Sequence, residues 1–193
     1  MKMRSSVWCV VAALALSSCG SSSSGSSFEL KSAFPAATGA VGGWIEDPDA
    51  MGFTSKNPAG VEIATTALQA IAAVDGDADP FTKRNFVALG REFYKNTIGG
   101  TASKLELRIW QMPSAAVATE LYTTLPSEDS RYNNTWLTAS YGDAGRYLDT
   151  GVSWWYNVRK GAYFIDLMGA TPNSAAVKTS AEALLASVVA ALP

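Results

Sequence analysis

Residues 152–167 constrain the fold of this chain more than any other stretch. Val152, Trp154, Tyr156 and Val158 fall on one side of an extended segment, Arg159-Lys160-Gly161 supplies a turn, and Tyr163, Ile165 and Leu167 alternate on the way back. Side chains of a strand point to opposite faces in turn, so this spacing predicts a β-hairpin with one apolar face. The same rule sets Trp154 and Trp155 on opposite faces, one in the core and the other free to meet a ligand. A second alternating run, 104–112, puts Leu105, Leu107 and Ile109 on one side and Glu106, Arg108 and Trp110 on the other. Further strands are expected at 86–94 and within 136–148, the latter interrupted by Gly142 and Gly145.

Three segments have helical spacing instead. Residues 61–74 carry Ala64, Ala67, Leu68, Ile71 and Val74 on one face, with Asn57-Pro58 upstream as a start signal. Residues 114–125 carry Val117, Ala118, Leu121, Tyr122 and Leu125, with Ser114 as N-cap. Residues 174–192 have the strongest stripe: Val177, Ala181, Leu184, Leu185, Val188, Val189 and Leu192. Thr171-Pro172-Asn173 introduces it, with Asn173 or Ser174 as cap. The expected order is strand, helix, two strands, helix, three strands, helix. That order predicts an α+β domain with a mainly antiparallel sheet and about three helices, the last at the C-terminus.

The N-terminus reads as an address. Lys2 and Arg4 precede an unbroken apolar run, Val7 to Leu16, which is too short to span a bilayer but suits a signal peptide. The run ends in Leu16-Ser17-Ser18-Cys19, which resembles the lipobox of bacterial lipoproteins. The resemblance implies cleavage after Ser18 and diacylglycerol on the Cys19 sulfur. The alternative is an ordinary secretory signal that leaves Cys19 a free thiol. Cys9 lies in the discarded run, so Cys19 would have no thiol partner in the mature chain. Residues 1–18 are then signal peptide, 19–27 the lipidated Cys and a Gly/Ser tether, and 28–193 a single globular domain. The eight tether residues Gly20 to Ser27 reach about 15 Å, so the domain is expected to float just off the membrane. The implied location is the bacterial cell envelope. Gly20, rather than Asp, after the Cys favours the outer membrane if the host is Gram-negative.

Charge narrows the partners. Removing Lys2 and Arg4 from the 15 Lys and Arg leaves 13 against 17 Asp and Glu, an acidic mature domain. Phosphate-binding surfaces need clustered cations, so no nucleic acid is expected, and no polybasic membrane patch either. Histidine is absent, which removes the commonest metal ligand and general base.

Four landmarks recur in order: Gly43-Trp44, then Ile71-Ala72-Ala73-Val74-Asp75-Gly76-Asp77-Ala78, then Arg91-Glu92-Phe93-Tyr94, then Leu107 to Ala116. Together they resemble an uncharacterised bacterial family, the domain of unknown function numbered sixty-five ninety-nine, over about 34–193. Asp77 and Phe93 depart from its usual pattern. The family brings no established activity. A looser likeness is to the photosystem-II-extrinsic-protein and Mog-one class of α/β/α sandwiches, which transfers no function.

Two sets of residues are candidates for ligand binding. Asp75, Gly76 and Asp77 open a run, Asp75 to Asp79, whose alternate carboxylates resemble the start of a calcium loop. The loop's sixth and twelfth positions hold Pro80 and Phe86, so no metal is expected and a solvated turn is the simpler reading. Trp44 and Trp155 are the second set, for stacking on a sugar or peptidoglycan strand. No nucleophile elbow, Ser-Lys pair or triad is present, and no catalytic residue or cofactor is assigned. Glu128-Asp129 reads as a solvated loop. The favoured function is a non-enzymatic envelope lipoprotein that binds a protein or glycan or assists assembly. The alternatives are a carrier of a small or apolar ligand and a carboxylate-dependent hydrolase.

Overall fold

The computed structural model describes residues 28–50, 60–130, 132–169 and 174–193, and of Asp75 the backbone alone. Cys19 with its signal and tether, Asn57-Pro58 and Thr171-Pro172-Asn173 lie outside the described residues. The elements among them are β1 (Ile45–Glu46), β2 (Glu62–Ala64), α1 (Ala67–Val74), α2 (Asp79–Thr82), β3 (Ala88–Ile98), β4 (Thr101–Gln111), α3 (Ala115–Glu128), β5 (Leu137–Thr138), β6 (Ala144–Asp149), β7 (Trp154–Lys160), β8 (Tyr163–Gly169) and α4 (Ala175–Ala191). They build an α+β domain around one antiparallel sheet in the order β1-β3-β4-β8-β7-β6-β5, with β2 also paired to β3. Helices cover both faces: α4 packs on one, α1 to α3 on part of the other.

The hairpin at 152–167 forms as β7 and β8, with Lys160 opposite Tyr163. Val152 does not join it. It sits in the approach to the strand and is exposed, because β7 starts only at Trp154. Trp154 and Trp155 do point to opposite faces: Trp154 is core and Trp155 is half-buried. A Cβ on Gly169 would lie 2.1 Å from the Trp154 ring, so the indole needs glycine opposite it. β3 and β4 are longer than their apolar runs and meet at Gly99-Gly100, both at positive φ. Two such residues make the tight turn whose twist suits a hairpin.

The C-terminal helix follows its stripe. Val177, Ala181, Leu184, Leu185 and Val188 are buried, and the Ser174 hydroxyl accepts the Val177 N–H at 3.2 Å. Each such buried Leu or Val contributes roughly 1.5–3 kcal/mol. In α3 the Ser114 cap forms likewise at 3.3 Å, and Ala118, Leu121 and Leu125 are buried. This helix runs through Pro126 to Glu128, so Glu128 is no solvated loop. Its carboxylate pairs with Arg84 and lies well below the ordinary carboxylate range, at about 2.

The segment 61–74 departs furthest from expectation. Glu62–Ala64 is a strand on the edge of β3, and the helix begins only at Ala67. The buried face of α1 is Ala70 and Val74, while Leu68 and Ile71 point to solvent. Edge pairing with β3 fixes the entry angle of α1, and that angle turns the small side chains inward.

Candidate functional site

The two faces of the sheet are built differently, and the strand register shows how. On the face under α4 the residues are apolar nearly throughout: Leu105, Leu107, Ile109, Trp154, Tyr156, Val158, Ile165 and Leu167. The opposite face has three successive rows across the strands. Leu89, Trp110 and Phe164 form the first, under α1 to α3, with Phe81 stacked on Trp110 at 3.9 Å. Glu62, Arg91, Arg108, Asp166, Asn157 and Arg146 form the second, each directly opposite the next from β2 to β6. Phe93, Glu106, Met168, Trp155 and Leu148 form the third, in the same register.

The middle row is a buried polar belt. Arg91, Arg108 and Asp166 are almost completely buried, and Asn157 completely so. Glu106 Oε1 accepts from Arg91 Nε at 2.9 Å and from Arg108 Nε at 2.6 Å. Arg91 also donates to the Ala73 carbonyl, tying the end of α1 to the sheet. Arg108 Nη1 donates to Asp77 Oδ2 at 2.6 Å. Burial opposes the Arg108 charge, but Glu106 and Asp166 outweigh it and raise its pKa. Asn157 Nδ2 donates to Asp166 Oδ1 at 2.9 Å, and the Tyr132 hydroxyl lies 3.3 Å from Asp166 Oδ2. Burial pushes the Asp166 carboxyl up to about 6, against the pull of Arg108. Arg146 donates to Asn157 Oδ1 at 3.1 Å, and its guanidinium lies over the rings of Tyr122 and Trp136. It also donates to the Tyr122 carbonyl at 3.3 Å. Pro126, four residues on in α3, has no N–H for that carbonyl. The helix defect created by the proline is therefore satisfied from the sheet.

Beyond the belt no helix among the described residues continues, and the third row is the floor of an open groove. Its larger chamber is about 440 Å³ and is lined by Phe93, Trp155, Met168 and Ala50, with Lys104, Glu106 and Arg108 among its polar groups. A second chamber of about 240 Å³ shares Trp155 and Met168 and is walled by Asp77, Tyr132 and Trp136. Trp155 and Met168 are thus common to both, and together they offer a flat apolar surface. Asp47 lines the larger chamber and bonds to Lys104 at 2.7 Å and Lys95 at 3.4 Å. Burial would raise its pKa, but the two ammonium groups hold it below the usual carboxylate range.

The sequence candidates separate. Trp155 is at the centre of the groove and Asp77 is in its wall. Trp44 is 1% exposed within the core under α4, so it presents no surface to a ligand. Gly76 stands in a 3-10 turn, Asp75–Ala78, with open space beside it. Asp77 turns inward to Arg108, so the Asp75–Asp79 run supplies a belt ion pair. Among the described residues no group of three or more acidic, His or Cys side chains could hold a metal ion. Phe93, Met168, Arg108 and Asp166 were not singled out from the sequence. The signal was there in Ile165-Asp166-Leu167 and Tyr156-Asn157-Val158, where a polar residue interrupts each apolar strand.

Each groove carboxylate is already matched by a cation: Asp47 by Lys104, Glu106 by Arg91 and Arg108, Asp77 by Arg108. The arrangement suits orientation of a ligand better than proton transfer, which needs a carboxyl available to the reacting group. No helix among the described residues is long and apolar enough to cross a membrane. No family model and no curated protein matches the chain. Among solved structures, the chain is similar to the extracellular domain of PknH from Mycobacterium tuberculosis, at 10% identity and a TM-score of 0.37, over 68% of this chain and 79% of that one.

Proposed function

We propose that this chain is an envelope lipoprotein, anchored through Cys19, whose domain holds a ligand with a flat apolar body in the groove over β3, β4, β8 and β7. The observation that carries this reading is the half-buried third row. Phe93, Met168 and Trp155 are set on rigid strands, next to a cavity of about 440 Å³. Small-molecule sites are of this size, mostly apolar, with a few fixed polar groups for orientation. Here Arg108, Glu106 and Lys104 supply those groups. Of the functions the sequence left open, a carrier of an apolar ligand fits this geometry better than a hydrolase does. An envelope glycan would use the same aromatic surface, stacking on Trp155.

The test uses the amphiphilic fluorophore 1-anilinonaphthalene-8-sulfonate as probe. Ala50→Trp narrows the cavity and Trp155→Ala removes its centre, and both should weaken probe binding about tenfold, equivalent to roughly 1.4 kcal/mol. Leu68→Glu, on the outer side of α1, serves as control and should leave groove binding unchanged. Unaltered binding in folded Ala50→Trp and Trp155→Ala proteins would remove the groove as the site.

A further inference from the structure

The outer side of α1 is apolar for a reason the fold does not use. Leu68 is 78% exposed and Ile71 43% exposed, although Ala70 and Val74 of the same helix are fully buried. The helix, Ala-Leu-Gln-Ala-Ile-Ala-Ala-Val, carries no charge. Val87, just before β3, is 46% exposed, and Ile63 on β2, 41% exposed and paired with Gly90, points to the other face of the sheet. All four lie at one end of the sheet. Ala64 is opposite Leu89, Ala88 is opposite Gln111, and Gln111 is opposite Tyr163. Ala73 is held over Arg91, so Leu68 lies toward the Ala88 end of the helix.

The tether enters at that same end. Phe28, the first residue after it, packs edge-on against Tyr163 with ring centroids 5.8 Å apart. From β8 through β4 and β3 to β2 is three strand spacings, roughly 15 Å. Eight Gly/Ser residues reach about the same distance. The groove is displaced to the other end of the sheet, where Lys104, Leu105, Ser153 and Gly169 line it.

We propose that the end bearing Ile63, Leu68, Ile71 and Val87 rests on the bilayer to which Cys19 is tethered, so that the groove opens away from it. The inference rests on the lipid-anchor reading, and it replaces a freely floating domain with one of fixed orientation. Leu68 at that end of α1, and Ile71 one turn on, would bury their exposed apolar surface at the headgroup boundary. Four aliphatic side chains make a weak contact alone. They suffice for a domain that a lipid already holds within reach, because tethering raises the local concentration of the surface.

The test uses the full lipidated chain on phosphatidylethanolamine/phosphatidylglycerol vesicles. The mature sequence has no cysteine but Cys19, so Leu68→Cys takes an environment-sensitive fluorophore at one place. A second protein carries it at Leu137, which is exposed on the far edge strand β5. Nitroxide lipids should quench the label at 68 at least about twofold more than the label at 137. Vesicles should slow amide exchange in α1, and Leu68→Glu with Ile71→Glu should leave the protein on the vesicles but abolish that added protection. Equal quenching at the two positions overturns the proposal. So does a label at 68 already buried before vesicles are added, which would mean that residues 51–59 or a second copy cover α1. If the full chain fails to float with vesicles at all, the lipid anchor itself is wrong and the orientation falls with it. Probe binding in the groove is unaffected by any of these outcomes, so the two readings fail separately.

Discussion

The two faces of this sheet share strands, register and residue spacing, yet only one is sealed. Under α4, Val177, Leu184, Leu185 and Val188 meet Leu107, Ile165 and Leu167, and the helix covers the apolar rows of the central strands. On the other face α1, α2 and α3 cover one row and stop at a belt of charges. Arg91, Arg108 and Asp166 are buried and find their partners in Glu106, Asp77, Asn157 and Tyr132, so no further helix is needed to seal them, and none among the described residues covers the apolar row beyond. The polar belt therefore marks where the core ends. The lesson is that charges paired mid-strand can end a core and leave apolar surface open beyond it.

Substitutions on matched positions should separate the faces. Trp154→Ala, on the sealed face, should cost about 3–5 kcal/mol in denaturant unfolding. Trp155→Ala, one residue along on the open face, should cost less than half as much while weakening probe binding about tenfold. Equal losses of stability would erase the distinction between the faces. Next in size is the belt. Arg108→Ala removes the cation that Glu106 and Asp77 share and that faces buried Asp166, leaving Glu106 with Arg91 alone, and should cost about 3 kcal/mol. Replacing Arg108 with Met should recover part of that loss only if Glu106 is also made Gln, which a double-mutant cycle would measure.

Much of the sealed face was legible in the sequence, because apolar periodicity reports burial directly. The α4 stripe, the α3 stripe and the alternation of 104–112 all land where their spacing places them. The groove was legible only in part. Trp155 could be assigned to the face opposite Trp154, and Asp77 stood out as one of several acids. Their convergence depends on which strands are neighbours, and strand order is not encoded in local spacing. Segment 61–74 failed for a related reason. Its apolar pattern fits a longer helix, but pairing of Glu62–Ala64 with β3 set the orientation, and Leu68 and Ile71 came to face outward.

Two buried acids offer a gentler comparison by pH. Glu92, on the α4 face, is pushed up to about 7 by burial and then by Glu46. Asp166, in the belt, is pushed up to about 6 by burial. In both cases the folded protein holds a proton that the unfolded chain would release. Their stabilising contributions are complete below the ordinary carboxylate range and are lost as pH rises through about 7 and about 6. Glu92→Gln should therefore flatten the fall in melting temperature between about pH 4.5 and 7, most completely between pH 6 and 7, and leave the share of Asp166 between about pH 4 and 6. A variant with the unchanged pH profile would show that Glu92 is solvated. The smallest effects should be the two N-caps. Ser114→Ala and Ser174→Ala should each cost about 1 kcal/mol, one on each face, with no change in probe binding.

The most direct measurement is native mass spectrometry of the lipidated protein taken from its own envelope, beside the Ala50→Trp form prepared in the same way. A small apolar adduct on the unmodified chain, absent from the variant, is the expected result. The same adduct on both forms, or no adduct on either at concentrations where the probe binds, would contradict a ligand held in the groove over Trp155 and Met168.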